Sequence, residues 1–356
     1  MSIARGGFIF GLVCLCISAI APQARAQTGC APGAPPLIIY HAGSLTAAFS
    51  AVEKLFTQQT GACITDVSSG SVDLARRVTT GEEPCDVMAS ADFETIERLL
   101  EPARAAAYDI RFAQGGMVLA YTTASKNAAT ISSGNAAFNP PSSVPDAASD
   151  WFEQLTQSGV TIASSHPFVD PSGYRNDLIF QLTEEEYGVA NLYGTLLDHY
   201  FVLKPNDALG KTFDYQILYE HSAVAAFKAD TTGTYRFVKL PDAVNLANPA
   251  LERRYGDATI IVPGLDSPGN APRVTLSGSR VVWGVTILKA APHPETAIQF
   301  LQLLFGAQGV ALQTAVGPQP ITPPTVERED FEHLPRALRA IVHVEDRDEF
   351  AEHGDR

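Results

Sequence analysis

The 356-residue chain is short of basic residues: 25 Lys and Arg stand against 39 Asp and Glu, a net charge of −14. That deficit argues against a footprint for nucleic acid and against electrostatic attachment to an anionic membrane surface. Long apolar runs are scarce too. The run from Phe8 to Ala21 stops well short of the roughly 20 residues a spanning helix needs. The five cysteines show no CxxC or Cys/His spacing, so a zinc site is not expected. There is no G-x-S-x-G elbow, and the hydroxyls at helix starts need no base beside them, so an acyl-transfer enzyme is not expected either. What remains is a globular composition, 46% hydrophobic and 18% charged, with length for about two domains.

Residues 1–26 read as an export signal: Arg5 as the basic start, the apolar run, then Ala24-Arg25-Ala26 as an A-x-A cleavage pattern. The expected location is periplasmic. Cys14 and Cys16 leave with the signal, and one disulfide could join any two of Cys30, Cys63 and Cys85. Gln27-Thr28-Gly29-Cys30 faintly resembles a lipoprotein site, with Gln27 where an aliphatic residue belongs, so lipid anchoring at Cys30 is a minority alternative.

Beyond a Pro/Gly-rich leader, short apolar runs alternate with amphipathic stretches. Leu37 to Tyr40, Cys63 to Val67, Cys85 to Ala89 and Met117 to Tyr121 read as strands. Thr46 to Gln59, Ser71 to Thr80 and Phe93 to Leu100 read as helices. This β-α-β-α order predicts an α/β fold built on mainly parallel sheets with flanking helices. Residues 124–150, rich in Ser, Asn and Pro, read as a long loop. Helices are expected from about Gly173 to Tyr187 and from Glu295 to Phe305, a strand over Val281 to Leu288, and an acidic tail at the end.

Three strand-to-helix turns share one composition: His41-Ala42-Gly43-Ser44, Ser68-Ser69-Gly70-Ser71, and Asp170-Pro171-Ser172-Gly173-Tyr174-Arg175. Each puts glycine and a small hydroxyl where a helix begins, at the positive end of its dipole with amides unpaired. Taken singly, each is an ordinary N-cap. Converging on one cleft, they would hold a small oxyanion without lysine or arginine.

The segments HAGSLTAAF, SSGSVDLARRVTTGEEPCDVMASADFETIERLL, FAQGGMVLAYT, SSHPFVDPSGYRNDLIFQL, LPDAVNL and VVWGVTILK occur in this order from about Leu37 to Pro323. Together they resemble the molybdate/tungstate-binding proteins of ABC importers, in particular the tungstate-binding branch. The resemblance implies a two-lobed periplasmic-binding-protein fold of type II with two crossovers. Residues 37–121 plus 281–323 would form lobe one, 122–280 lobe two, and 324–356 an acidic tail. It further implies a non-catalytic, monomeric importer component with no cofactor, an ABC permease as partner, and an oxyanion bound between the lobes. Carried over by motif, Ser44 and Ser71 are donors and Asp170 is a carboxylate ligand to the metal of the bound oxyanion. Gly43, Gly70, Ser172 and Tyr174 complete the expected site.

The chain departs from the family pattern at Leu218, where glutamate is expected; Glu220, two residues on, is the candidate replacement ligand. Ser172 stands where the family often has cysteine, and the 124–150 loop has no counterpart. Another small anion or a metal complex, or a periplasmic hydrolase on the same scaffold, remain the alternatives. Arg175 is expected to pair with Asp170 or Asp177. Asp92 is expected to cap a turn, and Trp151 and Trp283 to pack in the core.

Overall fold

The computed structural model describes residues 23–26, 30–80, 83–133, 138–264 and 273–345. Most of the signal-peptide reading and the last eleven residues of the acidic tail lie outside this range; Gln23–Ala26 pairs antiparallel with the Cys63–Ser69 strand.

Two sheets organise the chain. The first has eight strands, in spatial order 23–26, 63–69, 36–42, 87–90, 281–287, 110–115, 319–327 and 343–345. Its Pro36–Ala42 strand runs parallel to both neighbours, Cys63–Ser69 and Val87–Ser90. The strands next to the crossovers, Ile110–Gly115 and Val281–Ile287, add antiparallel pairs, so the sheet is mixed around a parallel centre. The second sheet has five strands, in the order 235–239, 117–122, 215–219, 162–164 and 200–202. Helices cover both. In Thr46–Thr60, Phe49, Val52 and Phe56 recur at helical spacing and are buried, and the rings of Phe49 and Phe56 meet Phe300 of the Pro294–Phe305 helix at 5.9 and 5.5 Å. Val281–Ile287 is buried at every position, which a strand with helices on both faces requires.

Two sequence expectations are corrected here. The Met117–Thr122 strand, assigned from sequence to the first lobe, belongs to the second sheet, where it pairs with Tyr215–Tyr219 and Tyr235–Lys239. The chain therefore crosses at Gly116. Gly115-Gly116 between two apolar runs was the available signal. Residues 324–345, expected as tail, are structural: Gln319–Glu327 and His343–Glu345 extend the first sheet, and Val326, Leu334 and Leu338 are buried. Arg111 holds this end in place through Glu327 and, at 3.7 Å, Glu345. The described residues of the 124–150 segment pack against the second sheet and its helices. Ile131 is buried, and Phe138 sits edge-on against Phe227 and Phe237 at 4.9 and 5.4 Å.

Among the three pairings open to the cysteines, Cys30–Cys63 forms, tying the segment before the first strand to the Cys63–Ser69 strand across 33 residues. Lipid attachment at Cys30 needs that same sulfur as a thioether, so the disulfide contradicts the lipoprotein alternative. Cys85 is buried and free; its thiol donates to the Val87 carbonyl, and burial pushes it well above the ordinary thiol range. A loop of 33 residues predicts that Cys63→Ala costs about 3–4 kcal/mol through the unfolded state. Thermal unfolding should fall by several degrees relative to the oxidised chain, and an unchanged midpoint would contradict the pairing.

Candidate functional site

The three glycine/hydroxyl turns adjoin pairwise: Thr46 Oγ1 lies 3.0 Å from Ser68 Oγ, and Val169, next to Asp170, accepts from the start of the Ser71–Thr80 helix. Ser44 lies in the short turn Gly43–Leu45 between the first-sheet strand and its helix. Its Oγ accepts a hydrogen bond from Trp283 Nε1 at 3.0 Å. Ser71 opens the Ser71–Thr80 helix, is fully buried, and its Oγ accepts from the Ala91 amide at 2.9 Å. A hydroxyl has one proton to give. With a protein donor on the oxygen of each serine, that proton is left to point at a ligand, the polarity an all-acceptor oxyanion requires. Trp283 is thus more than core packing: it orients Ser44.

Gly70 marks where the second turn meets the third. A Cβ there would lie 2.2 Å from the Val169 carbonyl oxygen and 3.1 Å from Asp170 Cβ, so only glycine permits the approach. The Val169 carbonyl in turn accepts from the amides of Val72 and Asp73, both at 3.2 Å. This corrects one expectation: two of the unpaired amides at this helix start serve to clasp the opposite lobe. Gly43, by contrast, is exposed with its nearest neighbour at 4.0 Å, and packing makes no demand for glycine there.

Asp170 caps the Pro171–Tyr187 helix; its Oδ1 accepts from the Ser172 amide at 2.9 Å, with Pro171 as the first helical residue. Burial pushes the Asp170 carboxyl above its ordinary range, against the opposing pull of Ser172, Ser165 and Arg175. A carboxylate so placed gains from any electrophilic partner that replaces its lost water. Gly173 lets this helix start press on the preceding loop, since a Cβ would sit 2.5 Å from the Ser165 carbonyl. Ser172 takes part through its backbone.

Tyr174 and Arg175 reach the other lobe. The Tyr174 hydroxyl donates to Asp92 Oδ2 at 2.5 Å, and Arg175 Nη2 lies 3.4 Å from the same oxygen. Arg175 Nη1 donates to the Ala91 carbonyl at 2.7 Å and to the Tyr219 hydroxyl at 2.8 Å. Arg175 is 1% exposed and Asp92 3%. The ion pair expected with Asp170 or Asp177 is therefore made with Asp92. Asp92 also caps its own turn by accepting from Glu94, as expected. Sequence reasoning missed the pairing because the partners lie more than 80 residues apart.

His221 is a further residue that the sequence did not single out. It stacks on Tyr219 and meets Trp283 edge-on at 5.3 Å, and its Nε2–H donates to the Ser44 carbonyl at 2.9 Å. Enclosure lowers the imidazole to about 4, partly opposed by that carbonyl. A depressed histidine contributes fully above its unfolded value near 6.5, and the contribution is lost as pH falls from there towards 4. In an NMR titration, the His221 ring should show a midpoint near 4. A midpoint near 6.5 would mean that the cleft does not enclose it.

Glu220 is not brought to Asp170. It is the first residue of the Glu220–Ala229 helix and lines a surface cavity with Gly116, Asp146, Lys239, Asp242 and Asn245, on the side where the chain crosses between sheets. Leu218 packs into an apolar cluster with Val118, Ala120, Ala223 and Phe237. The strand alternation is the reason: Tyr219 faces the cleft, so Leu218 points away from it. The strand ends at Tyr219 and Glu220 opens a helix, so the same-face relation expected between Leu218 and Glu220 does not hold.

The profile of the bacterial extracellular solute-binding proteins matches residues 37–317. The chain belongs to that family. An uncharacterized solute-binding protein of Petrotoga mobilis is 31% identical over 86% of this chain and 89% of its own length. The molybdate/tungstate-binding protein WtpA of Pyrococcus abyssi is 28% identical, covering 87% of this chain and 90% of that protein. Among solved structures, the sulfate-binding protein SubI of Mycobacterium tuberculosis superposes with a TM-score of 0.53 at 17% identity, covering 80% of this chain and 87% of that one. The substrate-binding protein of an ABC transporter from Agrobacterium tumefaciens gives 0.53 at 12% identity, with 91% of each chain covered. Two sheets with flanking helices, joined by two crossings, are thus the type II two-lobed architecture of these solute-binding proteins. The family is one of solute-binding proteins, and its extracellular character fits a chain with a disulfide.

Proposed function

We propose that this solute-binding protein captures molybdate or tungstate between its lobes and delivers it, as a periplasmic monomer released from its first 26 residues, to an ABC permease. The observation that carries the reading is that the turns bearing Ser44, Ser71 and Asp170 adjoin, through Thr46 and Ser68 on one side and through Val169 and the amides of Val72 and Asp73 on the other. Each serine oxygen accepts from a protein donor, which leaves its proton free to donate, and the Asp170 carboxylate is half-buried. Sulfate or phosphate would meet Asp170 as an unpaired buried negative charge, at a cost of several kcal/mol. Molybdenum or tungsten can accept the carboxylate oxygen as an added ligand, turning the same contact into a bond. The 28% identity to a molybdate/tungstate-binding relative supports the same ligand class.

Binding need not wait for both lobes. The first lobe supplies Ser44 and Ser71, and closure then adds Asp170 together with the Tyr174 and Arg175 contacts to Asp92, which exist only when the lobes meet. Because Trp283 donates to Ser44, its fluorescence reports occupancy. Tungstate and molybdate should each change the emission saturably at one site per chain, while sulfate leaves it flat. A response to sulfate alone would overturn the proposal.

The position of Glu220 supports a second reading, in which the same cleft takes another small anion. One carboxylate, not two, then stands beside the ligand. An ordinary tetrahedral anion competing with tungstate at comparable concentration would favour it.

A further inference from the structure

A second cluster of chemistry-bearing side chains lies behind the first anion turn, on the first sheet alone. His41 is on the Pro36–Ala42 strand, Asp66 on the parallel neighbour Cys63–Ser69, and Glu53 on the helix that covers both. One ligand atom from each, a ring nitrogen and two carboxylate oxygens, lies within 4.8 Å of the others. His41 is fully buried and Glu53 is 7% exposed. The Glu53 Oε1 atom is buried without a hydrogen-bond partner, as is Thr57 Oγ1 beside it in sequence on the same helix face. A shallow surface pocket lined by Ser50, Glu53, Lys54, Thr57 and Asp66 leads to the cluster from solvent.

The hydrogen bonding around His41 sharpens the case. Its Nδ1 lies 2.8 Å from the Ala42 carbonyl, an acceptor, so Nδ1 carries a proton. In a neutral ring Nε2 then presents a lone pair, and it faces Asp66 Oδ1 at 2.8 Å. Two lone pairs at that distance need a cation between or beside them. A proton on Nε2 answers this for Asp66 but leaves Glu53 to keep a proton of its own, as its burial beside Asp66 favours, or to find a cation. One divalent ion answers for all three, because a neutral imidazole and two carboxylates balance its charge. A ring nitrogen anchored through its partner N–H to a backbone carbonyl is also how metal-bound histidines are fixed.

The geometry points to a site for one divalent first-row metal ion of the zinc or manganese type, held by His41 Nε2, Glu53 and Asp66, with open positions towards the pocket. The mixed nitrogen and oxygen donor set suits these ions better than magnesium or calcium, which prefer oxygen throughout. The site adjoins the Gly43–Leu45 turn, so an ion there would brace the strand end that carries Ser44.

The test uses the metal-stripped full chain, titrated calorimetrically with zinc chloride and with manganese chloride, with calcium chloride for comparison. Expected are one zinc or manganese per chain, weaker calcium, and roughly a hundredfold loss of affinity in both Glu53→Gln and Asp66→Asn. Saturable binding at one ion per chain that survives both substitutions would overturn the proposal, as would no stoichiometric binding to the wild type. Should the variants fail to fold, the wild type loaded with cobalt(II) decides. A paramagnetically shifted imidazole resonance assigned to His41 supports the site, and a shift confined to another histidine, or to none, overturns it.

Discussion

Replacing Asp170 by Asn should weaken tungstate binding by about a hundredfold or more while leaving the fold intact. The two effects separate because the side chain does two jobs. As a helix cap, Asp170 accepts from the Ser172 amide, and an Asn carbonyl oxygen can do the same, so stability should change by only a few tenths of a kcal/mol. As a ligand, it offers a half-buried negative oxygen that an amide cannot reproduce, and losing one such charged contact is worth about 3 kcal/mol, or two decades in Kd. The opposite sign is expected for sulfate, whose affinity should hold or rise once the repelling charge is gone. An Asp170→Asn protein that binds tungstate as tightly as the wild type would remove Asp170 from the site.

The second large effect is expected at Arg175. Its guanidinium and the Asp92 carboxylate are both buried, and they come from opposite lobes. Arg175→Met keeps most of the packing volume but leaves Asp92 buried without its counter-charge, held by neutral donors, the Tyr174 hydroxyl and the Glu94 amide. Breaking a buried pair by removing one member typically costs 3–5 kcal/mol. That penalty falls on the closed arrangement, because in an opened cleft Asp92 regains water. Ligand affinity should therefore drop by about two to three decades, mainly through faster release. Tyr174→Phe removes a single hydrogen bond to the same oxygen and should cost about tenfold. If Arg175→Met lowers the unfolding midpoint but leaves affinity unchanged, the network is structural and not part of closure.

How far the sequence reaches is visible in these same residues. Asp170-Pro171 announces a capped helix locally, since a cap and a first-turn proline act within four residues, and the helix begins there. Glycine followed by serine at two strand ends likewise marks helix starts, and a helical turn begins at each. What periodicity cannot tell is which sheet a strand joins. Met117–Thr122 is equally apolar in either lobe, and only its partners place it in the second. Alternation along Tyr215–Tyr219 is local as well, but which face points inward is set by the sheet, and it is Tyr219 that faces Arg175. The Asp92–Arg175 pair and the Ser44–Trp283 bond join residues separated by 83 and 239 positions, and a single sequence holds no physical trace of such pairings. His221, depressed by enclosure between two rings, is of the same kind.

The central claim, that the cleft selects metal oxyanions over their lighter tetrahedral counterparts, is tested most directly by calorimetry on the chain beginning at residue 27. Tungstate, molybdate and sulfate are titrated in turn under one buffer. One site per chain for tungstate and molybdate, with no heat of binding from sulfate, is the predicted result. Sulfate binding with an affinity equal to or above that of tungstate would contradict it.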